Sequence, residues 1–391
     1  MNVLDQLRGD LPVMTAWRHD FHRHPEIGFQ EFRTAAKVAE LLGEWGLTVR
    51  TGIGGTGVVG ILRGRRNGNR TIGFRAELDA LPMVGRANTG YQSSCDGVFH
   101  GCGHDGHAAT LLGAAKNLAA NNDFAGTVYF IFQPAEETLR GGLAMMADGL
   151  FDIAPVEEIY ALHNNPALTP GNVGVRAGAI LSGADHLRID VHGLGSHAAQ
   201  PHRGIDPIVI ACELVGLLQT IVSRSLDPLE AGVVTVGTIH GGTASNIIPD
   251  LVVLEGTIRS MSEEGRALLQ RRVREVCEGS ARAFGTRVDC AIEQGCPPTI
   301  NHPAQASAVA AAAKRIVGPG RVMENVTPLM ASEDFAFMLQ KRPGAYFFVG
   351  QGGPHCHHPE YVFDDDVMPI GAAIFVELVR DRLGAETSEG S

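Results

Sequence analysis

Six segments between residues 183 and 296 read in turn as strand, helix, strand, strand, helix, strand. That order constrains the fold of this 391-residue chain more than any other feature. Residues 186–191 carry a strand pattern and 207–221 a helical one. Residues 233–239 and 251–259 read as strands, 264–284 as a long helix and 288–293 as a final strand. The β-α-β-β-α-β order is the split βαβ unit of ferredoxin-like domains, which need about 110 residues. On either side of it the pattern alternates. Residues 17–42 read as helical with a break near 26–31. Residues 57–62 and 71–75 read as strands, 106–120 as an Ala/Leu-rich helix, and 127–132 and 158–162 as short apolar strands. Beyond Pro297 come an Ala-rich helix near 304–313 and a strand at 345–349. Alternation of this kind favours a mostly parallel sheet with helices on its faces. The expected architecture is therefore an α/β domain, residues 1–182 and 297–391, interrupted by an inserted ferredoxin-like α+β domain, residues 183–296. The tail from Ala385 is expected to be loose.

Composition narrows the partners. A net charge of -11 with no Lys/Arg-rich block argues against nucleic acid. No run of eighteen apolar residues spans a bilayer, and residues 1–17 have no apolar core of a signal peptide, so no membrane partner is expected. The seven cysteines are odd in number and show no pairing pattern. A reducing, cytoplasmic setting fits best, where a special cysteine serves as ligand or nucleophile.

The chemistry concentrates after the strands. Cys102, His104, Asp105 and His107 stand in Gly101-Cys102-Gly103-His104-Asp105-Gly106-His107, just before a helix. Glycines let the backbone approach a ligand closely, and a metal would deprotonate the thiol. Glu136 and Glu137 follow the strand ending at Phe132, His163 follows the strand at 158–162, and Asp79 follows the strand at 71–75. His355, His357 and His358 follow the strand ending at Val349. Past the carboxyl ends of strands is where open α/β sheets place ligands. Thiolate, imidazole and carboxylate together suit borderline divalent ions such as Mn, Zn, Co or Ni. The donors outnumber what one catalytic ion needs, so two ions are expected. If the segment is extended, Glu136 and Glu137 point apart, and one can bind metal while the other accepts a proton from water.

These segments, with Trp17-Arg18-His19-Asp20-Phe21-His22-Arg23-His24-Pro25-Glu26, Arg75-Ala76-Glu77-Leu78-Asp79-Ala80-Leu81-Pro82, Gly195-Ser196-His197-Ala198-Ala199-Gln200-Pro201-His202, Ser245-Asn246-Ile247-Ile248-Pro249 and Ser332-Glu333-Asp334-Phe335, follow a known order. The chain resembles the dinuclear-metal aminoacylase/carboxypeptidase family in its amidohydrolase branch, which includes hippurate hydrolases, N-acyl-amino-acid deacetylases and indole-acetyl-amino-acid hydrolases. The resemblance implies hydrolysis of small N-acyl-L-amino acids, with peptide cleavage as a carboxypeptidase or dipeptidase the close alternative. It implies Cys102, His104, Glu137, His163 and His357 as metal ligands, with Cys102 bridging and Glu136 as general base and then acid. His357 is preferred to His358 because the family's histidine lies two residues before the proline. Asp79 would orient a ligand. The inserted domain would be a lid that pairs subunits into a homodimer. His197 would be offered to the substrate carbonyl, and Asn246 and Arg259 would hold its carboxylate. Glu77, Phe99, Gly101, Leu194 and Ser196 depart from commoner residues of that branch without removing a ligand. Two rivals use the same cluster: a metal buffer or sensor, and a hydrolase with Cys102 as nucleophile.

Overall fold

A computed structural model describes residues 2–384, so the tail from Ala385 lies outside the described residues. The chain divides into two compact units. One runs through Ile180, resumes over Ile300–Thr327 and continues from Asp334. The other comprises Leu181–Thr299 and Pro328–Glu333.

The first unit is built on an eight-stranded sheet in the order Thr48–Ile53, Gly57–Arg63, Ala125–Gln133, Arg66–Glu77, Glu158–Asn165, Gly344–Gly350, Val173–Gly174, Val322–Met323. The four strands from Ala125–Gln133 to Gly344–Gly350 run parallel, with antiparallel pairs toward the margins. Gly344–Gly350 is buried at every position, which is why it reads as an unbroken apolar run rather than an alternating one. Because these four strands share a direction, their carboxyl ends open on one side of the sheet.

Helices Val3–Arg23, His104–Ala120 and Met368–Arg382 pack on one another within this unit. The first begins at Val3, where Asn2 caps it through Asp5, rather than at residue 17. Pro12 and the scattered charges of its first half hide the helical period. The expected break is real: the helix ends at Arg23 and the next runs over Phe32–Glu44. Met368–Arg382 has no sequence-based counterpart. It is buried on nearly every side, so it lacks an amphipathic stripe. Its Phe375 ring sits 4.7 Å from that of Phe74 on the central strand.

The second unit holds a four-stranded antiparallel sheet ordered Gly232–Gly241, Leu251–Ser260, Gly183–His192, Val288–Gln294. With helices Pro207–Arg224 and Glu263–Phe284 between its strands, it has the β-α-β-β-α-β order read from the sequence. Asp206 caps the first helix at Ile208 and Val209, and Ser262 caps the second at Gly265. Ile210, Leu214, Leu218 and Ile221 recur every three or four residues and enter the core, while Ile208, Val209 and Leu217 stay exposed. By length and composition alone Pro207–Arg224 is apolar enough to cross a membrane, although Glu213 interrupts any continuous apolar run.

Candidate metal centre

The four parallel strands of the first unit deliver the candidate ligands. Arg66–Glu77 leads to Asp79, Ala125–Gln133 to Glu136 and Glu137, and Gly344–Gly350 to His357. His163 lies within the end of Glu158–Asn165 rather than after it. Cys102 and His104 come from the turn into helix His104–Ala120. Gly103 in that turn has φ 93°, and a Cβ there would stand 2.4 Å from the Tyr361 hydroxyl and 2.5 Å from the Asn164 amide oxygen. Only glycine fits.

Donor atoms of Cys102, His104 and His163 lie within 4.8 Å of one another, as do those of Cys102, Glu137 and His357. Cys102 belongs to both groups. His104, Glu136 and Glu137 form a third overlapping set, with Glu136 3.8 Å from His104 Nε2. All six side chains are therefore brought together.

Each imidazole is held so that Nε2 faces the cluster. His104 donates from Nδ1 to the Asp79 carbonyl at 3.0 Å and lies 3.1 Å from Asp79 Oδ1. His163 donates from Nδ1 to the Asn164 carbonyl at 2.7 Å, leaving Nε2 3.4 Å from Cys102 Sγ. Asp79 also accepts from the Glu137 backbone N–H at 2.9 Å, so one carboxylate fixes two neighbours. His357 Nε2 lies 3.3 Å from Glu137 Oε2. His355 and His358 instead make local turn contacts through Nδ1, which separates the three adjacent histidines.

The Glu136–Glu137 segment is not extended. It is a single 3₁₀ turn, Glu136–Thr138, flanked by left-handed Ala135 (φ 52°) and Leu139 (φ 57°). Successive side chains on such a turn point about 120° apart, so the two carboxylates still diverge, by a different geometry. His357 too is left-handed at φ 65°. Non-glycine residues in that region cost about 1 kcal/mol each, and such strain gathers at functional sites.

Buried His104 Nε2 and Glu137 Oε1 make no hydrogen bond and stand 4.0 Å apart. Two buried donor atoms without hydrogen-bond partners, facing one another across that gap, are groups that bound divalent cations would satisfy. Protonation tells the same story. Burial opposes a charged His104 ring, but Asp79 outweighs it and pushes the pKa up to about 10. Burial also opposes an ionised Glu137, yet His357 and His104 hold it below the ordinary carboxylate range. His163 is pushed well down by burial and by His107, and stays neutral. The Cys102 thiol is pushed well up by its hydrogen bond with Cys356, by burial and by Glu137. A cation would replace the protons that now balance these acids.

Two supporting networks escaped the sequence reading. Behind the donors, buried Arg75 pairs with Glu77 and with Asp334 at 2.9 Å. His107 bridges Glu77 at 2.8 Å and Asn164 at 2.7 Å, so both its nitrogens are engaged. Beside helix His104–Ala120, Arg18 and His22 reach Asp105 at 3.3 and 2.8 Å. Their i, i+4 spacing is the signal that could have paired the two motifs. Cys356, between the histidines, was also missed.

The remaining candidates belong to the second unit. His197 and Asn246 are exposed neighbours: His197 pairs with Ile247 in a two-stranded ribbon, and Ala198 N–H donates to the Asn246 carbonyl at 3.0 Å. The Ala199 N–H donates to His197 Nδ1 at 3.0 Å, which leaves the ring proton on Nε2, when the ring is neutral. Arg259 lies in the four-stranded sheet, opposite Val233 and Ala184.

The model of peptidase family M20/M25/M40 matches residues 73–381. The chain is 38% identical over 379 residues to a hippurate hydrolase of Campylobacter jejuni, covering 97% of this chain and 98% of that one. It is 37% identical to an N-acetyl-L-cysteine deacetylase of Bacillus subtilis, covering 94% and 87%. The solved structure of a dinuclear metal-binding peptidase of the M20 family from Bacillus subtilis superposes with a TM-score of 0.85 at 31% identity, covering 96% and 99%.

Proposed function

The chain belongs to peptidase family M20/M25/M40, and from that premise we propose that it hydrolyses the amide bond of N-acyl-L-amino acids, releasing a carboxylic acid and a free amino acid. The observation that carries this reading is the pair of donor trios sharing Cys102, with Glu136 beside them. The names of the hippurate hydrolase and deacetylase relatives support the substrate class.

Cys102, His104 and His163 would hold one ion and Cys102, Glu137 and His357 the other, the identity being Mn, Zn, Co or Ni. Bound ions supply Lewis-acid polarisation of the carbonyl and acidify water. Glu136 takes a proton from the attacking water and returns it to the leaving amine. Asp79 keeps His104 in the tautomer with a bare Nε2. His197, with its proton on Nε2, donates to the carbonyl oxygen as charge develops there, and Asn246 and Arg259 hold the substrate carboxylate.

The second unit would act as a lid and pair subunits into a homodimer or a dimer-based oligomer. The exposed apolar residues Ile208, Val209 and Leu217 and the edge strand Gly232–Gly241 support that role. The setting is cytoplasmic, and neither membrane nor nucleic acid is a partner.

The test is a matched pair of variants assayed with N-acetyl, N-benzoyl and indole-acetyl amino acids. Glu136→Gln keeps both ions and loses about 10²–10⁴-fold in kcat, whereas Glu137→Gln loses metal. The reverse pattern would exchange their roles, and near-normal rates in both would refute the mechanism.

A further inference from the structure

Cys356 has no part in the mechanism above, yet it adjoins the thiol on which both donor groups depend. The His357 N–H donates to the Gly101 carbonyl at 2.8 Å, so the segments carrying Cys356 and Cys102 run side by side. Cys356 Sγ donates to the Cys102 carbonyl oxygen at 3.8 Å, so the two cysteines are immediate neighbours. The Asn164 amide reaches Cys356 Sγ at 3.7 Å and holds it on that side. Cys356 is only partly buried, so a small oxidant can reach its sulfur, while Cys102 lies deeper beside it.

We propose that Cys102 and Cys356 form a reversible disulfide that disables the metal centre under peroxide. The proposal rests on the reading of Cys102 as a metal ligand. Peroxide oxidises the Cys356 thiol to a sulfenic acid, with loss of one water. Cys102 sulfur then attacks the sulfenic sulfur, the S–S bond forms, and the displaced oxygen leaves with the thiol proton as a second water. Two thiols are oxidised by two electrons and one peroxide is reduced to two waters. The disulfide removes the one thiolate common to both donor groups, so neither retains its full set. Bound ions shield Cys102, and the metal-free chain is the form that cross-links.

The experiment treats the full-length, metal-stripped protein with a small excess of hydrogen peroxide. It then blocks free thiols, maps cysteine peptides by mass spectrometry and measures Mn or Zn uptake by elemental analysis. The expected result is a Cys102–Cys356 cross-linked peptide, uptake lowered at least tenfold, and both changes reversed by dithiothreitol. Cys356→Ser and Cys356→Ala give no cross-link and keep uptake after the same mild treatment. Absence of the cross-linked peptide, or a cross-link that leaves uptake unchanged, overturns the proposal. Untreated Cys102→Ala separates the underlying reading: if it takes up metal normally, Cys102 is no ligand, whatever peroxide does.

Discussion

The two units present their candidate residues in opposite ways. In the first, nearly every donor is held by a second contact: His104 by Asp79, His163 by the Asn164 carbonyl, Glu137 by Asp79 and His357. In the second, His197 sits exposed on a ribbon of two-residue strands, and exposed Asn246 directly precedes its partner strand. A site that must hold ions against water needs orientation fixed before binding. A group that meets the substrate only as charge develops can wait at the surface. Under the proposed function, metal affinity belongs to the first unit and part of the rate to the second.

Four predictions press on that division. Chelation should abolish activity, with re-addition of Mn, Zn, Co or Ni restoring it; an indifferent enzyme would point to Cys102 as a nucleophile. Cys102→Ala should lower metal content and activity together, since its sulfur serves both donor groups. His197→Ala should lose about 10²–10³-fold in kcat, the scale for one oxyanion donor, at unchanged metal content. Loss of metal there would break the separation between units. The smallest effect concerns stability alone. Glu158 in the first unit accepts from Arg382 at 2.6 and 2.9 Å. Burial opposes its ionisation, but Arg382, Gln305 and Tyr160 outweigh it and hold its carboxyl below the ordinary range. Its contribution is therefore present above an unfolded carboxylate pKa of about 4.3. It is lost as pH falls through the lower folded value, because the unfolded chain takes up the proton first. Glu158→Gln should cost about 1.5–3 kcal/mol at neutral pH, the range for hydrogen bonds to charged groups. Denaturation curves should show that difference shrinking below about pH 4.

What the sequence made legible follows the same divide. The candidate donors that the fold brings together were readable because thiol, imidazole and carboxylate groups are conspicuous after apolar strands. The β-α-β-β-α-β unit was readable because its elements keep their periods. Helix Met368–Arg382 was not, since burial on all sides erases its period. Asn164 and Cys356 carry no motif, and their importance comes from segments far apart in the chain that the sheet brings together. The 3₁₀ turn at Glu136 depends on left-handed Ala135 and Leu139, which no local glycine announces.

Metal stoichiometry tests the central claim most directly. The stripped chain is saturated with Mn or Zn, freed of excess by gel filtration and subjected to elemental analysis. Two overlapping donor groups sharing Cys102 predict a value approaching two ions per chain. A reproducible value of one would mean that the groups form a single site, and zero would contradict the metal centre altogether.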